Sequence, residues 1–66
     1  MNVIINGERR DVAPRTTVAD IVRSLTDAAG GIAVAVNDHV VPKADWAETL
    51  ITENDRVDVL TAVQGG

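Results

Sequence analysis

One short segment of the chain has the periodicity of an amphipathic helix, and it limits the folds that the rest can adopt. Its apolar residues recur at intervals of three and four: Val18, Ile21, Val22 and Leu25. Thr17 precedes them as a predicted N-cap, and Asp20 takes the position of a shortened capping box. A single helix covers only one face of a sheet, so the sequence predicts one sheet wrapped around one helix.

Two strands joined by a tight turn are predicted ahead of this helix. Val3 and Ile5 give the first strand one strongly apolar face. Asn6-Gly7 follows, and this dipeptide tolerates the positive φ angles of a two-residue hairpin turn. The next strand, from about Glu8 to Val12, is polar, which is typical of an edge strand that avoids pairing with other sheets.

A third strand is predicted after the helix, with a turn at Gly30-Gly31 between them. Ile32 to Val36 alternates large and small apolar residues, which favours a strand inside the sheet that another element approaches closely. Asn37-Asp38-His39 turns the chain. Val40-Val41 then begins a short return strand, and Pro42 confines it to an edge because proline donates no hydrogen bond to a neighbour.

The last strand is predicted over residues 56–63, after a turn at Glu53-Asn54-Asp55. Trp46 to Leu50, which precedes that turn, is too short to assign. The last strand needs a partner with a large apolar face, and Val3 and Ile5 of the first strand provide one. The two would lie side by side at the sheet centre. We therefore predict an α+β fold of the β-grasp type, with one mixed sheet of four to five strands on one main helix.

Length and composition predict a single domain over residues 1–66. The 66 residues are 45% hydrophobic, as in a globular protein, and no apolar run approaches the roughly 18 residues of a membrane span. The first residues have no basic region before their apolar stretch, so they are interpreted as a strand rather than a signal peptide. The chain has no cysteine, which fits a reducing compartment, and we expect a cytoplasmic protein.

The formal net charge of −4 argues against two classes of partner. Ten acidic residues stand against six basic ones, whereas nucleic acids and anionic membranes require clustered Lys and Arg. The acidic balance suits docking to a basic protein surface. The solubility of a small domain explains the charge better.

The sequence after the last strand, Val63-Gln64-Gly65-Gly66, suggests a chemical role. Glycine loses the most backbone entropy on ordering, so Gly65-Gly66 adds nothing evident to the fold, and we expect a flexible tail. Without Cβ atoms it is narrow enough to enter a closed active site. Its terminal carboxylate is unhindered and can attack a nucleotide α-phosphate to give an acyl-adenylate, which a sulfur nucleophile can attack in turn. The extended tail reaches about 13–14 Å, enough for insertion into a partner.

Several segments together resemble one known family, the thiamine-pathway sulfur carrier proteins (ThiS). The matching segments are Val34-Ala35-Val36-Asn37, Val40-Val41-Pro42, Trp46-Ala47-Glu48-Thr49 and residues 55–66. The most specific matches are Trp46-Ala47 and the final Ala62-Val63-Gln64-Gly65-Gly66. The turn Asn37-Asp38-His39 departs from the Asn-Gly common in relatives, which concerns turn geometry only.

The resemblance implies a ubiquitin-like β-grasp carrier rather than an enzyme. It implies that an adenylating enzyme uses ATP to activate the Gly66 carboxylate, and that the chain itself binds no cofactor. A sulfur donor such as a cysteine desulfurase or rhodanese would then supply the sulfur of a Gly66 thiocarboxylate. Thiazole synthase would take that sulfur, and residues 63–66 would enter the partners' active sites.

Four other features have both a functional and a structural interpretation. Trp46 is either a docking anchor or a core residue. Leu60 and Ala62 either form an apolar docking patch beside the tail or are covered by the segment around Trp46. His39 has no partner residues that would make a catalytic or metal site. The carboxylates can form an acid–base pair, although solvated surface explains them better: Glu53, Asp55 and Asp58.

Two other carrier-type functions share the tail chemistry. The small subunit of molybdopterin synthase is one, although those proteins are typically longer and lack the Ala62-Val63-Gln64 run. A ubiquitin-like modifier joined to lysines is the other. An independent enzyme is the poorest alternative, because the sequence offers no nucleophile with a base.

Overall fold

The computed structural model describes residues 1–26 and 31–61, and within them it contains five strands, one α-helix and one 3₁₀ helix. In chain order these are β1 (Asn2–Ile5), β2 (Glu8–Asp11), α1 (Val18–Leu25), β3 (Ile32–Val36), β4 (His39–Val40), the 3₁₀ helix (Lys43–Glu48) and β5 (Arg56–Thr61). The predicted strands and helix are present in that order. The end of the predicted last strand, residues 62–63, and Gly30 of the predicted turn lie outside the described residues. Within the described ranges, no helix has the length and apolar content needed to cross a bilayer.

The five strands form one mixed sheet in the order β2-β1-β5-β3-β4. β1 and β5 are parallel neighbours at its centre, with Ile4 beside Arg56 and Ile5 beside Val57. β2 pairs antiparallel with β1, and β3 pairs antiparallel with both β5 and β4. This confirms the predicted β-grasp topology, including the two predicted edge strands.

Both hairpin turns use left-handed backbone at two consecutive residues. Asn6 and Gly7 have φ angles of 51° and 84° between β1 and β2. Asn37 and Asp38 have φ angles of 51° and 72° between β3 and β4. Two positive φ angles are typical of the turn whose twist matches that of the flanking strands, and Asn, Asp and Gly adopt them most readily. His39 is therefore the first residue of β4 rather than part of the turn.

Helix α1 packs on one face of the sheet. A complete capping box opens it: the Asp20 N–H donates to Thr17 Oγ1 at 3.2 Å, and the Thr17 N–H donates to Asp20 Oδ2 at 3.0 Å. The hydrogen bond from the Thr17 backbone lowers the pKa of Asp20. The helix and sheet share one apolar core: Val3, Ile5, Val18, Ile21, Val22, Val34, Trp46, Ile51, Val57 and Val59. Leu25, predicted on the apolar helix face, is partly exposed.

The segment left unassigned in the sequence contains the 3₁₀ helix. Trp46 is buried there, and its indole Nε1–H donates to the Val41 carbonyl at 2.8 Å. Leu50 follows and forms an isolated antiparallel bridge with Thr17. The segment thus closes the core beside the start of α1.

We expect Val34→Ala to destabilise the domain by about 2 kcal/mol, because it removes two buried methyl groups and leaves a cavity. Val34 is 1% exposed on β3, whereas Val40 on β4 is 76% exposed. Val40→Ala is the matched control and should change the free energy of unfolding by less than about 0.5 kcal/mol. Urea denaturation of both variants checks this. Equal losses would contradict the packing described here.

Candidate functional site

The candidate site begins where β5 ends. β5 lies between β1 and β3, and its pairing with β3 continues to its last residue, with Thr61 opposite Ile32. The chain is therefore fixed in the sheet up to the residue that precedes Ala62. Ala62 and the predicted tail residues 63–66 lie outside the described residues. The flexibility of the tail therefore stays a prediction.

Two asparagines, one in each hairpin turn, bind the backbone of β5 from opposite sides. The Asn6 N–H donates to the Val57 carbonyl at 2.9 Å, and Asn6 Oδ1 accepts from the Val59 N–H at 2.8 Å. The Asn37 N–H donates to the Arg56 carbonyl at 2.8 Å, and Asn37 Oδ1 accepts from the Arg56 N–H at 2.9 Å. Each side chain therefore supplies an acceptor where its own strand has turned away.

An apolar patch covers part of the sheet face opposite α1. Val57 and Val59 are buried beneath the helix, so the alternate residue Leu60 faces outward and is 70% exposed. Leu60 is paired with Ala33, and Ala35 is paired with Val40. These four residues form a surface that we call the outer patch: Ala33, Ala35, Val40 and Leu60. It lies directly beside the last described residues of β5.

Charged residues border the outer patch on the side away from the tail. Arg56 and Asp58 precede Leu60 on β5, with 3.8 Å between Arg56 Nε and Asp58 Oδ2. The Arg56 guanidinium also donates to Asp38 Oδ1. This hydrogen bond lowers the pKa of Asp38 and raises the pKa of Arg56. The surface along β5 thus changes from charged to apolar toward residue 61.

The predicted docking residues do not all lie together. Leu60 is in the outer patch, but Trp46 is in the core and only 8% exposed. The structure therefore places Trp46 as a packing residue with little exposed surface. The exposure of Leu60 also shows that the Trp46 segment does not cover it. Ala62 lies outside the described residues.

The candidate acid–base carboxylates have structural partners instead. Asp55 accepts from the Thr52 N–H at 2.8 Å and from Asn37 Nδ2 at 2.9 Å, and Glu53 accepts from the Asn2 N–H at 3.1 Å. Burial raises the pKa of Asp55, but the hydrogen bonds from Thr52 and Asn37 together outweigh it, so the net pKa is lowered. Asp55 is therefore held as a carboxylate that fixes the turn before β5.

His39 is exposed on the edge strand β4. Across residues 1–26 and 31–61, no cluster of three or more His, Cys, Asp or Glu side chains is arranged to hold a metal ion. Nothing in this part of the chain joins His39 to a catalytic set.

Three residues of the outer patch were not recognised from the sequence as a partner surface. Ala33 and Ala35 were interpreted only as small residues that allow close packing, and Val40 only as part of an edge strand. The strand register brings them beside Leu60. Ala33 and Ala35 alternate with the buried Val34 along β3, which indicates that they face the other side of the sheet. This alternation does not show which strands are neighbours.

Comparison with known proteins gives a consistent result. The sequence model of the ThiS family matches residues 3–66. The chain is similar to the sulfur carrier protein ThiS of Escherichia coli, with 26% identity over the full length of both. It is 29% identical over its whole length to a thiazole synthase of Paramagnetospirillum magneticum, of which it spans 20%. The crystal structure of the thiamine biosynthesis protein (ThiS) from Geobacter metallireducens has a TM-score of 0.82, at 26% identity and complete coverage of both chains.

We expect Asp55→Asn to lower stability near neutral pH, because Thr52 and Asn37 donate to different oxygens of the carboxylate and the amide would turn its own NH₂ group toward one of these donors. The folded-state pKa of Asp55 is depressed, so its contribution is present above the ordinary carboxyl pKa of about 3.9 and is lost as the pH falls through the folded value. The difference in unfolding free energy between wild type and variant should therefore shrink below about pH 4. Denaturation at a series of pH values measures it.

Glu48→Gln is the control for this change, because Glu48 is exposed at the end of the 3₁₀ helix. It should leave the unfolding free energy nearly unchanged near neutral pH. A wild-type advantage over Asp55→Asn that is the same at pH 7 and in acid would contradict the role given to the Asp55 carboxylate.

Proposed function

The chain belongs to the ThiS family, and we propose from this membership that Gly66 is the residue that carries sulfur, as a C-terminal thiocarboxylate. The protein is a sulfur carrier of thiamine biosynthesis, a cosubstrate rather than a catalyst. The observation that supports the role of Gly66 most directly is that the family match continues from residue 3 through residue 66. The match also favours the thiamine pathway over the molybdopterin and protein-modifier alternatives.

The proposed chemistry acts on one group, the carboxylate of Gly66. An oxygen of that carboxylate attacks the α-phosphate of ATP on an adenylating enzyme, and pyrophosphate leaves. The carbonyl carbon of the acyl-adenylate is then attacked by the terminal sulfur of a persulfide on a donor such as a cysteine desulfurase or a rhodanese, and AMP leaves. A thiol attacks the donor-side sulfur of the resulting acyl disulfide, so that the Gly66 thiocarboxylate leaves and a disulfide forms between that thiol and the donor. The chain supplies only the carboxylate, and ATP is bound by the partner.

The glycines suit this reaction for steric reasons. Gly65 and Gly66 lack Cβ atoms, so the tail is the narrowest that a peptide can have, and the carboxyl carbon is approached without hindrance. Val63 and Gln64 join this pair to the end of β5. Residues 63–66 therefore form the proposed segment that enters the partner active site.

Thiazole synthase is the proposed acceptor of the sulfur. This chain is similar over its whole length to one fifth of a protein named thiazole synthase, which supports an association between sulfur carriage and thiazole formation. The adenylating enzyme and the sulfur donor are further proposed partners. The proposal includes a cytoplasmic location, because that is a reducing compartment where ATP is available.

The outer patch is the proposed docking surface for these partners. It combines exposed apolar side chains on three adjacent strands with a position immediately before the tail. Exposed apolar surface of this kind is typical of interaction sites. A partner bound there would hold the domain while residues 62–66 extend toward its active site.

Removal of Gly66 should abolish sulfur loading and leave the fold unchanged, because every residue of the described core, from Val3 to Val59, is retained. Intact-protein mass spectrometry after incubation with ATP, the adenylating enzyme and a sulfur donor is the measurement. Wild type should gain the mass of sulfur minus that of oxygen, located at Gly66. A protein lacking Gly66 that is loaded as well as wild type would disprove the assignment.

Leu60→Asp should weaken binding to the adenylating enzyme at least about tenfold, because it places a charge in the centre of an apolar interface. Leu50→Asp is the matched control, since Leu50 is also largely exposed but lies beside Thr17 at the start of α1, outside the outer patch. Calorimetric titration of both variants tests the surface. The same loss of affinity in both would indicate that the outer patch is not the contact.

A further inference from the structure

β5 is the strand that leads to the tail, and its pairing with β1 ends several residues before β5 itself ends. Asp55 and Val57 accept hydrogen bonds from the backbone N–H groups of Ile4 and Asn6, each at 2.9 Å. The β1–β2 turn then carries the main chain away from β5. The next β5 group on this side, the Val59 N–H, is bound by the Asn6 side chain instead.

We propose that Asn6 is a positioning residue for the carrier end, acting through the hydrogen bond from the Val59 N–H to Asn6 Oδ1. This inference rests on the proposed function of Gly66. Because of this hydrogen bond, the β5 backbone is held on both its β1 side and its β3 side as far as Val59, rather than only as far as Val57. Beyond Val59, β5 is paired on its β3 side only, as far as Thr61.

Asparagine meets two requirements at this position. The backbone at Asn6 has a φ of 51°, a value that residues other than Asn, Asp and Gly rarely adopt. The Val59 N–H of β5 also needs a side-chain acceptor at this position, and Gly has none. Asn6→Gly therefore keeps the turn and removes the acceptor, whereas Asn6→Asp keeps both.

The position of this hydrogen bond connects it to the tail. Gly66 is seven residues beyond Val59, a span of at most about 23–25 Å when fully extended. Without the bond, the last residue held on the β1 side is Val57, so the part of the chain that lacks support on both sides lengthens by two residues, although the β3 side still pairs through Thr61. A longer span lowers the fraction of bound carriers whose carboxylate lies at the nucleotide, and small misplacements of reacting groups reduce rates strongly.

Asn37 provides a matched control within the same chain. It also has a φ of 51° in a hairpin turn, and it also binds β5 through its N–H and its Oδ1. Its partner is Arg56, the first residue of β5, at the end away from the tail. Asn37→Gly additionally loses the bond to Asp55, so it should destabilise the domain at least as much as Asn6→Gly.

The test measures pyrophosphate release by the adenylating enzyme with ATP at varied concentrations of the full-length carrier. Asn6→Gly should lower kcat about tenfold with little change in KM, because the outer patch is intact and only the placement of the tail is altered. Asn6→Asp should restore kcat. Asn37→Gly should retain the wild-type kcat despite its lower melting temperature.

Three results would overturn the inference. They are an unchanged kcat in Asn6→Gly, an equal kcat loss in Asn37→Gly, or a loss in Asn6→Asp as large as that in Asn6→Gly. If wild type itself supports no pyrophosphate release, the proposed function fails and the role of Asn6 falls with it. That outcome is distinct from wild-type turnover with an unaffected Asn6→Gly, which removes this inference alone.

Hydrogen exchange of the free wild-type protein provides a test that does not depend on a variant folding or on any enzyme. The Val59 amide, bound to Asn6 Oδ1, should exchange at least about tenfold more slowly than the Thr61 amide, which lies beyond Asn6. Equal exchange rates at the two amides would show that Asn6 does not hold β5, and would overturn the inference.

Discussion

The parallel pairing of β1 with β5 is the contact on which the rest of the structure depends. It joins the first strand of the chain to the last described one at the centre of the sheet. Ile5 of β1 thereby lies beside Val57 of β5, and these two residues, with Val3 and Val59, belong to the core on which α1 packs. The loop closed by this pairing includes nearly the whole chain, so its entropy must be offset by burial of these residues.

One strand therefore contributes to two surfaces that have different roles. Alternate residues of β5 face the core and the outer patch, so a shift of register by one residue would bury Leu60 and expose Val57 and Val59. The register follows from the backbone pairing of β5 with β1 and β3 and from the burial of Val57 and Val59, while the Asn6 and Asn37 side chains each add one hydrogen bond to the β5 backbone. The proposed docking surface lies where this register places Leu60.

The features that were predictable from the sequence are those fixed by neighbouring residues. The Asn6-Gly7 turn, the Thr17 cap and the edge position enforced by Pro42 each depend on local backbone geometry, and the structure confirms all three. The pairing of β1 with β5 was predictable because the last strand needs a neighbour with a large apolar face, and few strands in the sequence have one.

The features that were not predictable depend on contacts distant in sequence. The 3₁₀ helix forms around Trp46, whose burial is set by the core and by the Val41 carbonyl rather than by any periodicity. The outer patch requires the register that places Ala33 beside Leu60. The bond between Asn6 Oδ1 and Val59 requires both the turn and the strand pairing, so a pattern that predicts the turn alone cannot reveal it.

Three acidic side chains stabilise the fold, and one of them, Asp55, was among the candidates for acid–base chemistry. Asp20 completes the helix cap, Asp55 fixes the turn before β5, and Asp38 is paired with Arg56. In each case hydrogen bonds lower the carboxyl pKa, which keeps the group ionised and makes it a poor proton donor near neutral pH. A carrier needs no acid or base of its own when the partner supplies the nucleotide site. In the proposed function it supplies a docking surface and a strand that leads to the reacting carboxylate, and the six residues of β5 include both Leu60 of the outer patch and the last described residue before the tail, Thr61.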